Sequence, residues 1–550
     1  MALCAGLGSA QTSPLLAILS EELDRNFQVL KQQADPAPYF MGYEVTDQEG
    51  WVVSATLGAL KASSADRGRT LDVTVRVGSP KLDNYHRIPG ERPRFTARVP
   101  LPIEDHPAAI RRRAWLETDR VYRLAAETLI KIRTNRQVKV AEEDDSDDFS
   151  KEDPAVYAQA PSKLTPAAEE WAARVRKWST EFAKQRSILT SQVTVVAQRD
   201  TRALVNTEGA SLQHGRGFAE LVIMARAKAT DGMDLSLRES FEAADPGSLP
   251  KEAVVLAAIE RLSRDLNALL RAPVVQPYAG PAILSGRAAA VLFHEIFGHR
   301  IEGHRQKDES EGQTFTKSVG AKILPEFLSV TFDPTRRQFN GLELNGWYQY
   351  DDEGVKAQPV TIVEKGVLKT FLMSRSPIKG FARSNGHGRR QPGFEVVSRQ
   401  SNLFVESSQQ VPEARLRQML IDEVRRQNKP YGLYFQQVTG GFTTTARQGM
   451  QAFKVIPILV YRVYPDGRPD ELVRGADIVG TPLASFARIL ATSDRPEVFN
   501  GYCGAESGNL PVSAVAPAIL VSEIEIEKKE KSQDRPPLLS APFPPAGGGQ

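Results

Sequence analysis

The sequence predicts an α+β protein: an N-terminal α/β domain with a meandering sheet and flanking helices, then a strand-rich C-terminal domain that carries one motif-bearing helix. Three observations predict it. Long amphipathic or charged helical stretches recur before residue 280. Between them lie runs with the composition of strands, and residues 70–77 also show strict alternation. Beyond residue 310 short strand-like runs separated by turns take over.

The elements follow in order. Residues 15–33 read as an amphipathic helix, residues 39–45, 51–56 and 70–77 as strands, and residues 111–133 as a long helix. The run at 142–148 (EEDDSDD) is expected to be a solvated loop. It opens an insertion, 142–186, that ends in a charged helix at 166–186. Strands are expected at 193–205 and 221–229 and a helix at 251–270. The PYAGP segment at 277–281 marks a boundary, so the N-terminal domain is taken as 15–280 and the C-terminal one as 281–528. In the latter, strands are expected at 323–330, 347–351, 360–362, 367–373, 433–437, 451–463, 471–480 and 515–525, with a helix at 413–426. The tail, 529–550, is charged and then rich in Pro and Gly, and is expected to be disordered.

Seventy basic against 67 acidic residues give a net charge of +3, which offers no footprint for nucleic acid. No stretch is long and apolar enough for a membrane span. Two cysteines, Cys4 and Cys503, exclude a disulfide framework. Cys503 is therefore a lone thiol, to be read as a buried small hydrophobe, a metal ligand or a reactive group. Residues 1–14 are a disordered end or the remnant of a signal peptide, the latter implying export.

Chemistry concentrates at His294-Glu295-Ile296-Phe297-Gly298-His299. Imidazoles bind divalent metal, zinc above all, and a neighbouring carboxylate can act as base on water activated there. The familiar zinc helix places its histidines at i and i+4. Here they stand at i and i+5, about 140° apart on a regular helix. The helix must be distorted between them, for example by a π-bulge, and Gly298 is the residue expected to tolerate this. Only seven histidines occur in the chain, and His294, His299 and His304 fall within eleven positions. Ser285 is placed to cap the helix. Asp351, Asp352 and Glu353 read as a solvated turn or as acceptors that orient the motif helix. The basic run 383–390 reads as a mobile loop, functionally a lid or a grip on a substrate carboxylate.

Four segments in order carry a family resemblance: His294-Glu295-x-x-Gly298-His299 followed by Glu302-Gly303; Asp351-Asp352-Glu353-Gly354; Thr439-Gly440-Gly441; and Cys503-Gly504 followed by Asn509-Leu510-Pro511-Val512. Together they resemble the TldD/PmbA family of metallopeptidases, and its catalytic, zinc-motif-containing branch. The resemblance implies one zinc ion per chain held by His294, His299 and Cys503, with Glu295 as general base. Glu302 and His304 remain alternative third ligands. With Asp352, Glu353, Gly440 and Gly441 they are also candidates for substrate binding or support of the ligands. It implies extended or unfolded peptides as substrates, and a homodimer or a heterodimer with a motif-less paralogue, in a cytoplasmic setting. Two alternatives stand beside it. One is a non-catalytic subunit of such a complex. The other is a dipeptidyl peptidase III-like exopeptidase, which shares His-Glu-x-x-Gly-His but takes a glutamate ligand from a downstream helix.

Overall fold

The computed structural model describes residues 13–88, 91–138, 144–160, 164, 167–447, 453–480, 486–529, 534–537 and 539. The expectations for residues 1–12 and for most of the tail fall outside these. The fold is mixed α+β, with two large sheets.

The first sheet is an antiparallel meander. Pro38–Thr56 and Ala59–Ser79 form a long hairpin, closed by Leu57 and Gly58, both at positive φ (48° and 85°), as a two-residue type I′ turn requires. Thr190–Asn206 adds to the other side of Pro38–Thr56, and Ser211–Lys228 and Asp234–Ala243 continue outward. Sequence reading divides the first strand in two because residues 46–50 are polar. The strand nevertheless runs through, since Asp47 is buried against Arg69 at 2.8 Å and Arg67 at 3.2 Å. Asp234–Ala243 is a strand that sequence reading misses.

Alternation along these strands separates two faces. Met41, Tyr43, Val45, Trp51, Val53 and Ala55 are buried on one. They pack beneath four helices, Pro14–Gln33, Pro107–Val138, Ala168–Ser179 and Glu252–Arg271. The opposite face carries Glu44, Asp200, Arg202, His214 and Arg216 on neighbouring strands. It meets the C-terminal half through charge: Arg390 donates to Glu44 at 2.7 Å, and Arg202 pairs with both Glu44 and Asp352.

In the second sheet, Tyr278–Leu284, Gly432–Thr443, Phe453–Val463, Ala476–Gly480 and Gly508–Lys528 pair successively. The last returns to the first, closing a ring. Leu328–Phe332 and Asn402–Ser407 extend the sheet from Gly508–Lys528, and Ile489–Ala505 pairs with it antiparallel. The PYAGP segment, read as a boundary, starts a ring strand, in which Ala279 and Gly280 pair with Glu525 and Ile524. Residues 347–351 are not a strand. They lead into a turn in which Asp351 accepts the backbone N–H groups of Glu353, Val355 and Gly388. The helix Glu413–Arg426 has its expected bounds.

The end of the acidic run and most of the basic run are buried, while Asp145 and Asp147 are exposed as expected. Of the acidic run, Asp148 accepts from His86 at 2.8 Å and from the N–H of Asp83 at 3.0 Å. In the basic run, His387 is wholly inaccessible, Arg390 is held by Glu44, and Arg383 pairs with Glu152 at 2.9 Å. The basic run is therefore not a mobile lid: Glu44 and Glu152, from distant parts of the chain, hold Arg390 and Arg383.

Removing Glu44 leaves Arg390 charged and buried. Glu44→Ala is expected to cost about 3–5 kcal/mol, read as a lower denaturation midpoint, whereas Glu364→Ala, at the exposed end of strand Val360–Glu364, shifts it little.

Candidate metal centre

Three consecutive windings build the motif segment. Gly286–Leu292 is α-helical and begins at Ser285, whose hydroxyl accepts the N–H of Ala288 at 3.2 Å. Phe293–Phe297 is π-helical, and Gly298–Arg300 is a 3₁₀ turn. In the π segment the Gly298 N–H reaches back to the Phe293 carbonyl, so residues five apart stack above one another. That brings His294 and His299 to one side, with ring centroids 5.2 Å apart. Side chains take the carbonyls that the wide turn frees. Gln400 Nε2 donates to His294 O at 3.2 Å, and Arg300 donates to Ile296 O at 3.1 Å and to Glu295 O at 3.3 Å.

Gly298 has a different role from the expected one. Its backbone is ordinary right-handed helix, φ −55° and ψ −46°. A Cβ there would stand 1.9 Å from Gln400 Oε1, so glycine is required for the close approach of Gln400.

Cys503 comes from Ile489–Ala505, a strand absent from the sequence reading because it carries Asp494, Arg495, Pro496 and Gly501. It pairs with Leu510 across the hairpin. His294, His299 and Cys503 are all buried, and one ligand atom from each lies within 4.8 Å of the others. Cys503 Sγ is 3.3 Å from His299 Nε2. Two ligands of a tetrahedral zinc, one sulfur and one nitrogen, stand about 3.5 Å apart, so the donor set and its spacing fit that ion. Glu295 Oε2 lies 4.0 Å from His299 Nε2.

Charge is distributed to suit. Burial alone would raise the Cys503 thiol, but His299 and His294 hold it well below the usual thiol range. Burial alone would lower His299, but the Cys503 thiolate and Glu302 push it up to about 10. Burial raises the Glu295 carboxyl, against the pull of His294 and His299.

Glu302 is wholly buried, and its Oε2 faces His299 Nδ1 at 3.4 Å. That contact directs Nε2 toward Cys503. Arg305 donates to Glu302 at 2.8 Å, to Glu506 at 2.9 Å and to Glu311 at 2.8 Å. Arg399 donates to the Cys503 carbonyl at 2.7 Å and lies 3.4 Å from Glu302 Oε1. His304 turns its Nε2 to Glu506. Asp352 pairs with Arg202 of the first sheet, and Glu353 accepts the N–H of Arg375 at 2.6 Å within the C-terminal half, so these contacts are made away from the motif helix. Arg305, Arg399 and Gln400 escape sequence reading. Isolated Arg and Gln residues carry no motif, and only the fold places them here.

A cavity of about 680 Å³ opens over the cluster. Its walls include Gly440 and Gly441, the edge of the Cys503 strand, and Arg238, Ser240 and Glu242 from the first sheet. A Cβ at Gly441 would stand 2.8 Å from Glu295 Cγ, so that glycine leaves room for the carboxylate.

Residues 277–528 match the family described as PmbA/TldA metallopeptidase C-terminal domain, and the motif segment and the Cys503 strand both fall within that match. That C-terminal part of the chain, residues 277–528, belongs to the TldD/PmbA family. A metalloprotease of Archaeoglobus fulgidus is 28% identical over 239 residues, 43% of this chain and 51% of the relative. A zinc metalloprotease TldD homolog of Saccharolobus solfataricus is 25% identical over 259 residues, 46% of this chain and 52% of the relative. The chain thus spans about half the length of these curated relatives. The crystal structure of TldE from Thermococcus kodakarensis has the same fold, with a TM-score of 0.62 over 93% of this chain and 100% of the other at 14% identity. The comparisons thus liken the C-terminal part to metallopeptidases and the whole chain to the TldE fold.

Two outcomes are expected. Gly298→Ala displaces Gln400 and lowers the zinc bound per chain, and the further change Gln400→Ala restores it; metal analysis of the purified variants checks this. The Cys503 thiol is lowered and His299 is raised to about 10, so a zinc ion taken up at neutral pH is expected to displace a proton from His299. Titration calorimetry in buffers of different ionisation enthalpy is expected to show about one proton released. The cation's contribution to the metal-free fold is present in full below the ordinary histidine range and lost as pH rises through about 10.

Proposed function

We propose that this chain is a zinc-dependent peptidase of the catalytic branch of its family, acting on extended or unfolded peptides. The observation that carries the reading is the convergence of His294, His299 and Cys503 beside Glu295 at the floor of an open cavity. Bound to those three residues, zinc would keep a fourth position open, polarise the scissile carbonyl and acidify a water.

The chain's own residues do the rest. Glu295, its carboxyl raised by burial, takes a proton from the attacking water at Oε2 and returns it to the leaving amine nitrogen. Glu302 holds the His299 ring in one orientation. Residues 496–505 pair with Gly508–Lys528 on one side, and their other edge borders the cavity. An extended peptide can add to that edge through its backbone, giving loose sequence preference and little attack on folded protein. Dimerisation, with a second copy or a motif-less paralogue, is part of the proposal, and light scattering of the purified chain with and without such a paralogue tests it.

Glu295→Gln keeps the shape of the side chain and cannot accept the proton. It is expected to retain about one zinc per chain and lose about 10²–10⁴-fold in turnover. Loss of the zinc in this variant would instead make Glu295 a ligand. A chelator is expected to abolish cleavage of an unfolded protein and zinc to restore it. A non-catalytic subunit would bind zinc or peptide without cleaving.

A further inference from the structure

A second cavity, of about 310 Å³, lies where the polar face of the first sheet meets the C-terminal half. Arg202, Arg216, Arg389, Trp347, Tyr350 and Tyr502 are among its walls. Arg202 is committed to Glu44 and Asp352. The other two guanidiniums have only carbonyl oxygens as hydrogen-bond acceptors among the described residues. Arg216 donates to Asn345 O at 2.5 Å, and Arg389 donates to Gln400 O at 2.5 Å and Pro511 O at 3.0 Å. The neighbouring carboxylates are occupied. Asp351 accepts three backbone N–H groups, Asp352 faces Arg202, and Asp200 accepts from the amides of Gln48 and Gln198. His214 is held neutral, its pKa lowered to about 4 by burial and by Arg202. Burial lowers Arg389 to about 10, and the crowding cations Arg216, Arg399 and Arg202 add to that lowering against Tyr348. An anion placed among them relieves the crowding and gives Arg216, which lines the cavity, a charged acceptor.

The cavity adjoins the metal centre. Tyr502, next to Cys503 in the chain and 56% exposed, lines both cavities. Asn345, whose carbonyl Arg216 binds, lines the one over the cluster. A peptide extended along residues 496–505 can therefore pass Tyr502 and end against Arg216. We propose that this pocket is a carboxylate subsite: Arg216 binds the terminal carboxylate of the peptide substrate directly, with Arg389 as a flanking positive charge. The inference rests on the peptidase reading for the identity of its ligand. An acidic side chain carries the same chemistry, and the test separates the two sources.

The experiment measures binding by calorimetry to the full chain carrying Glu295→Gln, so that no turnover is needed. The probes are a short Ala/Phe peptide with a free C-terminal carboxylate, its C-terminal amide, and an amidated analogue containing one Glu. The free acid is expected to bind about tenfold or more tightly than the amide, as a charge-assisted hydrogen bond implies. Arg216→Gln is expected to erase that preference and Arg216→Lys to keep part of it. Tight binding of the amidated Glu peptide supports the subsite and assigns its ligand to a side chain. Equal binding of acid and amide, or a preference that survives Arg216→Gln, overturns the proposal. Should Arg216→Gln lose its fold by circular dichroism, the acid-to-amide ratio on the chain with native Arg216, together with Arg216→Lys, still decides. A chain that never cleaves peptide yet prefers the acid refutes the peptidase reading and leaves the subsite standing, so the two fail separately.

Discussion

Everything around the cluster depends on one buried carboxylate. Glu302 has no exposed surface, and three cationic or polarisable groups converge on it: His299, Arg305 and Arg399. Burial works against its ionisation, yet His299 and Arg305 keep its pKa near 2, lowered to about that value from the ordinary glutamate range. A charge so placed cannot relax into solvent. It fixes one histidine on the motif segment, and through the two arginines it also reaches the strand that supplies Cys503, at the carbonyl of Cys503 itself and at Glu506. Candidate ligands more than two hundred positions apart in sequence are thus set by a single electrostatic knot. A buried, paired charge of this kind adds little net stability; its effect is geometric.

Much of this was legible in the chain, and for definable reasons. A spacing of five between histidines conflicts with α-helical winding, and the π-helical stretch Phe293–Phe297 resolves the conflict. Gly298 was legible as special but for the wrong reason, since a tertiary contact with Gln400 has no trace in local sequence. Strands with clean apolar runs, such as Phe453–Val463, could be read directly. Ile489–Ala505 could not, because Pro496 and its charged neighbours look like a loop and its regularity comes from the partner strand. Charge runs misled in the same way. Residues 383–390 and the end of the acidic run look solvated in isolation, and only the fold reveals their counter-ions.

The polar face of the first sheet shows how the two halves are matched. Alternation puts apolar residues beneath the helices and Glu44, Arg202 and Arg216 on the reverse. A sheet face rich in ions is compatible with a buried junction only if the other side supplies partners, and Arg390 and Asp352 do so. Where matching is incomplete, at Arg216 and Arg389, a cavity remains beside the cluster.

The π-helical turn also has a genealogical meaning. Such a turn is an α-helix holding one residue in excess. Deleting one residue between His294 and His299 would restore regular winding and leave the histidines four apart, still on one face. Because the wide turn absorbs the extra residue within itself, the residues beyond His299, Glu302 and Arg305 among them, would keep their direction. The two spacings are therefore one indel apart, and what separates them is local: the carbonyls that the wide turn leaves free. The extra residue can persist in this chain because Gln400 and Arg300 have come to occupy the carbonyls it exposes.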